Sequence, residues 1–346
     1  MGLNIREIIP RKEIEISDLK GKLLCVDAFN ALYQFLSTIR QPDGTPLMDS
    51  KKRITSHLSG IFYRNINLLS QGIKLVYVFD GDAPALKQKT RKKREESRDL
   101  AGEKYEEAKQ EEDFEKMRTY SSQLLKLEDE MIEESKELLK AMGIAVVQAP
   151  SEGEAEAAYL CRIKSEVYAS VSQDYDSILF GAPVLIRNLN LSRRKKTYSG
   201  YIEVKPEIID LQRVLNQLQI NLDQLICLGI LVGTDYNPKG IPGIGQKKAL
   251  EFVRKFKTPF RIFKEFEGKI NSLPEEDKFN WQDIFELFHK PNVKNFEFEF
   301  SAISKEKIKE ILIEKHEFSE ERIQNQFNKL DEINEKSKQK DLDKWF

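Results

Sequence analysis

Apolar positions fall into two rhythms along the chain. Lys22 to Asp27, Ile73 to Asp80 and Val167 to Ser172 are short runs of Val, Leu, Ile and aromatic residues, each closing at or just before an Asp. Gly143 to Gln148 is a fourth run, leading into Pro150-Ser151. Runs this short and this continuous predict strands buried on both faces. Between them the spacing changes to that of a helix, as in Ile54, Leu58, Ile61, Phe62, Leu68 and Leu69. Strands alternating with helices predict an α/β fold with a mostly parallel central sheet and helices on both faces.

The rhythm weakens between Lys87 and about Lys140, where charged residues dominate and Gly and Pro nearly vanish. That composition predicts an insertion of two or three projecting, solvent-exposed helices. Lys205 to Lys257 reads as helical, punctuated by Gly240-Ile241-Pro242-Gly243-Ile244-Gly245, and amphipathic helices continue to about Leu330. The expected organisation is a single unit over residues 1–335. Its parts are 1–86, the insertion 87–140, a second sheet-forming part 141–235, a helical hairpin 236–258 and C-terminal helices 259–335. A flexible tail, 336–346, follows and ends in Trp345-Phe346.

Composition changes this picture little but excludes some classes. The 346 residues carry 56 Lys+Arg against 57 Asp+Glu, so a protein that coats nucleic acid through bulk positive charge is excluded, while local basic patches are not. Met1 to Ile16 has no apolar stretch fit for a secretory signal, and Leu225 to Gly233 falls far short of the roughly 18 residues of a membrane span. A soluble, intracellular protein without membrane contact is expected. Cys25, Cys161 and Cys227 are odd in number, lie in apolar runs and lack CxxC spacing, which predicts buried thiols.

The candidate chemistry lies in acids. In a parallel sheet the carboxyl ends of the strands converge on one crevice. Asp27 and Asp80 end two strands, Asp174 and Asp176 follow a third, Glu152 and Glu154 open the helix after the fourth, and Asp235 lies in the turn Gly233-Thr234-Asp235-Tyr236. Taken singly each has an ordinary reading: Ser151-Glu152-Gly153-Glu154 fits a capping box, and a lone Asp at a strand end often caps a helix. Seven together raise one another's pKa unless cations neutralise them. All-oxygen donors and only three His favour Mg²⁺ or Mn²⁺ over zinc. A phosphodiester, whose attacking and leaving oxygens both need stabilising, is the substrate such a site suits.

Two further features bear on phosphate binding, and a third on a partner. Lys87 to Arg98 holds seven bases against two acids, and Lys87 and Arg94, seven apart, share a helix face. That face is either a solvated one or a holder of the scissile phosphate. Pro242-Gly243-Ile244-Gly245-Gln246-Lys247-Lys248 reads as a helix-hairpin-helix, with glycines admitting a phosphate to a helix N-terminus and Lys247 and Lys248 adding charge. Gln339, Leu342, Trp345 and Phe346 place an aliphatic and two aromatic anchors on a polar tail, for a partner or for the protein's own core. Arg193-Arg194-Lys195-Lys196 reads as a solvated loop.

Val26-Asp27-Ala28-Phe29-Asn30, Val78-Phe79-Asp80-Gly81, Pro150 to Ala155, Ser172 to Asp176 and Gly233 to Tyr236 together resemble, in order and spacing, the motif set of the flap endonucleases, XPG-type structure-specific 5′ nucleases. The resemblance, closest to archaeal members, implies the PIN-like 5′ nuclease fold, with the insertion as a helical arch through which a 5′ flap threads. It implies that Asp27, Asp80, Glu152, Glu154, Asp174, Asp176 and Asp235 ligate two Mg²⁺, with Mn²⁺ able to substitute. It also implies that Lys87 and Arg94 act on the phosphate, and that the hairpin holds K⁺ beside duplex DNA at Gly243, Gly245, Lys247 and Lys248. Tyr33 matches an aromatic that stacks on a base, the alternative being a core tyrosine. Gly2 matches a position threaded near the active site.

Glu156 has no counterpart in the set and reads as ordinary helix surface. The tail resembles the family's sliding-clamp (PCNA) interaction motif. The implied activity is cleavage at the base of 5′ flaps, with accompanying 5′–3′ exonuclease action, in replication and repair by a protein that is monomeric on its own. Its place would be cytoplasm or nucleoid in an archaeon and nucleus in a eukaryote. A bubble-cutting excision nuclease, a pure exonuclease and a non-catalytic clamp-tethered scaffold are the alternatives.

Overall fold

Strong β-formers in unbroken runs make strands that vanish into the interior. A computed structural model describes residues 3–342 apart from 42–43, 112, 122, 190–193 and 198–199. Its strands are β1 (Lys12–Glu13), β2 (Leu23–Asp27), β3 (Lys74–Phe79), β4 (Ala145–Gln148), β5 (Val167–Val171), β6 (Val184–Arg187), β7 (Arg194–Thr197), β8 (Gly200–Glu203) and β9 (Glu207–Asp210). Seven form one sheet in the order β1-β9-β6-β5-β2-β3-β4. The five from β6 to β4 are parallel, while β9 is antiparallel to both β6 and β1. The chain builds outward from β2 on one side through β3 and β4, then crosses to β5 and β6 on the other. The crevice between the carboxyl ends of β2 and β5 is thus a topological switch point.

Alternation along β2 explains why its run is apolar throughout. Leu24 and Val26 pack into one core and Leu23 and Cys25 into another on the opposite face. Helices α1 (Ala28–Thr38) and α2 (Ser56–Ser70) cover the first face. Next come α3 (Gln88–Gln110) and α4 (Phe114–Ser121), the charged insertion, which pack on each other. Helix α5 (Asp129–Ala141) returns to the first face.

On the second face lie α6 (Gly153–Ile163), the short α7 (Asp176–Leu179), and then α8 (Leu211–Leu218), α9 (Leu222–Val232), α10 (Gln246–Phe256), α11 (Pro259–Asn271) and α12 (Trp281–His289) around a separate core. Finally α13 (Lys305–Lys309) and α14 (Glu320–Leu342) rejoin the first face. Among the described residues no single helix is long and apolar enough to cross a membrane.

Several expectations are corrected. The projecting insertion does not reach Lys140, because α5 buries Met131, Ser135, Leu138 and Leu139, an i, i+4, i+7, i+8 stripe hidden by its many charges. Residues 207–210 of the segment expected to be helical form β9. Arg194–Lys196 lie in the β7–β8 hairpin and not in a loop, and Arg193 falls outside the described residues. Residues 291–304 form no helix; they cross the second face as an extended strap that packs Phe296 and Phe298 on the sheet core. The tail is helical through Leu342, so Gln339 and Leu342 lie on α14, whereas Gly2, Trp345 and Phe346 fall outside the described residues. The three cysteines are buried and free.

Candidate active site

Each acid reaches the crevice on an element whose local chemistry fixes it. Asp27 closes β2 and also caps α1, accepting from the Asn30 N–H at 3.0 Å, so cap and candidate ligand are one residue. Asn30 spans the switch point: its Nδ2 donates to Asp174 Oδ2 at 3.0 Å and its Oδ1 accepts from the Gln173 N–H at 3.0 Å. Asp80 accepts from the Gly153 N–H at 2.7 Å. Gly153 is required there, because a Cβ would lie 2.8 Å from the Val78 carbonyl and 2.9 Å from Asp80 Oδ1. Glu154 Oε1 accepts from both the N–H and the hydroxyl of Ser177, at 2.9 and 2.7 Å.

The capping box expected at Ser151–Glu154 does not form. Glu152 is the N-cap of α6 and makes no side-chain cap bond, while Ser151 Oγ donates to the Asp82 carbonyl at 2.9 Å. The local pattern is overridden because Glu154 is drawn to Ser177 and Ser151 to Asp82, while Glu152 is held by Tyr236, whose hydroxyl donates to its Oε2, and by Lys87.

These carboxylates act on one another electrostatically. Burial, then Asp80 and Asp174, push Asp27 up to about 8 against the Asn30 N–H. Burial and then Asp176, Asp174 and Asp27 raise Glu154 well above the usual carboxylate range. Burial and then Asp235 and Asp174 do the same to Asp176, whose Oδ1 is buried without a hydrogen-bond partner. Burial and Asp235 raise Asp174, and burial raises Glu152 against the pull of Lys87. All seven predicted acids thus meet in one field.

Lys87 contacts Glu152 and lies 3.8 Å from Asp235, while Arg94 places one nitrogen 2.9 Å from both Asp235 oxygens. Burial disfavours the Lys87 ammonium, but Glu152 and Asp235 outweigh it and raise its pKa. Thr90, between the two bases on the same face, donates to the Asp235 carbonyl at 2.7 Å. Lys87 and Arg94, with Arg187 acting on Asp174, still leave a large excess of negative charge against seven acids. All-oxygen donors, mutual repulsion and an orphaned buried oxygen fit hard divalent cations. Among the described residues no three side chains form a ready-made cage, so the acids line a crevice more than they close on one point.

A cavity of about 540 Å³ opens beside the acids, lined by Tyr33, Arg94, Arg98, Leu125 and Asp235 among others. Tyr33 is 42% exposed there, not in the core. Beside the second-face core, Gly243 takes a φ of +78° and Gly245 is the N-cap of α10. A Cβ at either would meet nothing within 4 Å, so the backbone leading into α10 is uncovered on that side. Lys247 is exposed beside them, 3.4 Å from Glu7.

The same segments carry the family likeness. The XPG N-terminal domain model matches residues 4–101 and the XPG I-region model residues 143–235, together more than half of the chain. Flap endonuclease 1 of Pyrococcus furiosus is 50% identical over 348 residues, covering 100% of this chain and 99% of that protein. The chain belongs to the flap endonuclease family.

Among solved structures, flap endonuclease-1 from Methanococcus jannaschii superposes with a TM-score of 0.74 at 40% identity, covering 96% of this chain and 98% of that one. The catalytic core of Rad2 in complex with DNA substrate (TM-score 0.68, 22% identity, covering 95% of this chain and 100% of that one) shares the fold. So does the Holliday junction-resolving enzyme GEN1, solved with product DNA and Mg²⁺ (TM-score 0.58, 20% identity, covering 90% and 72%).

Against this flap endonuclease framework, Glu156 requires correction. It is fully buried on α6, not on the surface, and its Oε2 accepts from the Lys294 N–H of the strap at 3.0 Å. Burial pushes it up to about 7. The sequence reading missed Asn30, Ser177, Thr90 and Tyr236 as partners of the acids. Asn30 and Tyr236 stand inside the motifs that carry the resemblance, which was a usable signal; Ser177 and Thr90 carried none.

Proposed function

We propose that this flap endonuclease cleaves DNA at the base of 5′ flaps by hydrolysis of one phosphodiester bond, leaving a 5′-phosphate. The observation that carries the reading is the convergence of seven mutually repelling carboxylates on one crevice beside Lys87, Arg94 and Tyr33. Asp27, Asp80, Glu152, Glu154, Asp174, Asp176 and Asp235 would hold two divalent ions, Mg²⁺ or Mn²⁺. When bound, such ions neutralise the acids and stabilise the attacking and leaving oxygens of an in-line displacement.

The chain's own residues do the rest. Lys87 and Arg94 exchange their carboxylate partners for the scissile phosphate and offset its charge. Tyr33 stacks on a base unpaired beside the cleavage point. The α10 N-terminus with Gly243, Gly245, Lys247 and Lys248 grips duplex backbone without reading sequence; K⁺ at this hairpin belongs to the same proposal. Helices α3 and α4 form the arch that selects a free 5′ end. Gly2 contributes to DNA binding, and Gln339, Leu342, Trp345 and Phe346 recruit a sliding clamp in replication and repair. The protein works as a monomer.

Cleavage of labelled 5′-flap, 3′-flap, bubble and single-stranded DNA in Mg²⁺ tests the reading. Cutting at the base of the 5′ flap above all others is expected. Preference for the bubble makes the protein an excision nuclease, preference for a recessed end makes it an exonuclease, and no cutting makes it a scaffold.

A further inference from the structure

We propose that Tyr236 is a positioning residue that fixes the Glu152 carboxylate for its divalent ion and aligns Lys87 above it. This rests on the metal reading of the crevice and deepens it. Tyr236 is buried, 7% exposed, and its hydroxyl donates to Glu152 Oε2. The face of its ring lies 5.5 Å from Lys87 Nζ, and Lys87 pairs with Glu152, so the three side chains close a triangle.

The ring is locked from behind. Phe288 packs edge-on at 5.3 Å and is itself 4.7 Å from Phe180. The turn that carries it is locked as well: Asn237 Oδ1 accepts from the Thr234 N–H at 3.1 Å and hydroxyl at 2.8 Å, and Asn237 Nδ2 donates to the Ile230 carbonyl at 2.7 Å. Asp235, one residue earlier, therefore enters the crevice on the same rigid support.

Four of the other six crevice acids have a neutral donor that sets their orientation. Asn30 serves Asp27 and Asp174, the Gly153 N–H serves Asp80, and Ser177 serves Glu154. Glu152 has no cap bond of its own, so Tyr236 is its counterpart. A phenol suits the task, because it occupies one oxygen without adding charge and leaves the full negative charge to face a cation. Lys87 cannot substitute: once it moves to the phosphate, Glu152 is held by Tyr236 alone.

Mn²⁺ binding to the DNA-free protein, followed by the electron paramagnetic resonance of free Mn²⁺, is the direct test. Tyr236→Phe keeps the ring and its packing and is expected to weaken Mn²⁺ binding by about 10-fold. In single-turnover cleavage its half-saturating Mg²⁺ rises by a similar factor, while the rate at saturating Mg²⁺ falls less than about 3-fold. Tyr236→Leu, which also removes the face beneath Lys87, lowers that saturated rate by about 10-fold. In a Glu152→Gln background Tyr236→Phe costs nothing further, a coupling that a folding defect does not produce. Mn²⁺ affinity in Tyr236→Phe equal to that of the wild type, or full additivity with Glu152→Gln, overturns the proposal. Failure of the wild type itself to bind Mn²⁺ removes the metal reading on which it stands, and the two failures are thereby distinguished.

Discussion

Asp49 and Asp176 are both carboxylates with scarcely exposed side chains, yet their surroundings drive them in opposite directions. Asp49 (side chain 1% exposed) is met by the Arg53 N–H at 2.9 Å and guanidinium at 2.8 Å, the Lys51 N–H at 3.0 Å and a His316 ring nitrogen at 3.2 Å. Burial works against its charge, but the Arg53 bonds and then His316 outweigh it and hold Asp49 down to about 2. Asp176 meets Asp235 and Asp174 instead, keeps one oxygen without a partner, and is driven up. The first cluster supplies its own countercharge and, through His316, whose other ring nitrogen lies 2.9 Å from Glu134 of α5, ties Asp49 to that helix. The second concentrates acids with two bases among them, and so is built to receive charge from outside.

Asp174→Ala probes the strained cluster with the largest expected effect. Cleavage of flap DNA in Mg²⁺ should fall on the order of 10³-fold or more, while binding, measured by fluorescence anisotropy, stays within about 3-fold. Undiminished cutting would take Asp174 out of the chemistry.

Asp49→Asn probes the satisfied cluster and should do the reverse. Thermal unfolding should show a loss of several degrees at pH 7, with cleavage at saturating DNA nearly unchanged. The sign with pH follows from the lowered pKa. Stability from Asp49 is present above the unfolded carboxylate value near pH 4 and is lost as pH falls through about 2. An unfolding temperature in Asp49→Asn equal to that of the wild type would dissolve the contrast.

Glu156 is the intermediate case, buried with one bond and outside the seven acids of the proposed metal site. Its raised pKa means that its stabilising contribution is full below about pH 4.5 and lost as pH rises through about 7. Glu156→Gln should therefore stabilise the protein at pH 8 by on the order of 2 kcal/mol and leave it little changed at pH 4. A gain of equal size at both pH values would refute the assignment to charge burial.

The crevice was legible because a fully buried parallel strand advertises itself as an unbroken apolar run, and the polar residue that ends it marks the crevice. Asp27, Asp80 and Asp174 needed no tertiary information. Glu156 did need it, because what covers it is Lys294, distant in sequence on a strap with no periodic pattern. Helix α5 was misassigned to the insertion since its buried stripe is diluted by charges on its other faces. The cap at Ser151 was misread for a similar reason, as Ser177 takes Glu154 and Asp82 takes Ser151 from elsewhere in the chain. Local chemistry was readable wherever it was left to itself.

The central claim, that the crevice acids are held at an electrostatic cost which divalent cations relieve, is tested most directly by thermal unfolding across a Mg²⁺ titration at constant ionic strength. Wild-type unfolding temperature should rise with Mg²⁺, approaching about 2.7 kcal/mol of added stability at 100 times the dissociation constant. Asp176→Asn should start higher without Mg²⁺ and climb less. A wild-type curve flat in Mg²⁺, or an Asp176→Asn protein less stable than the wild type in its absence, would contradict the account.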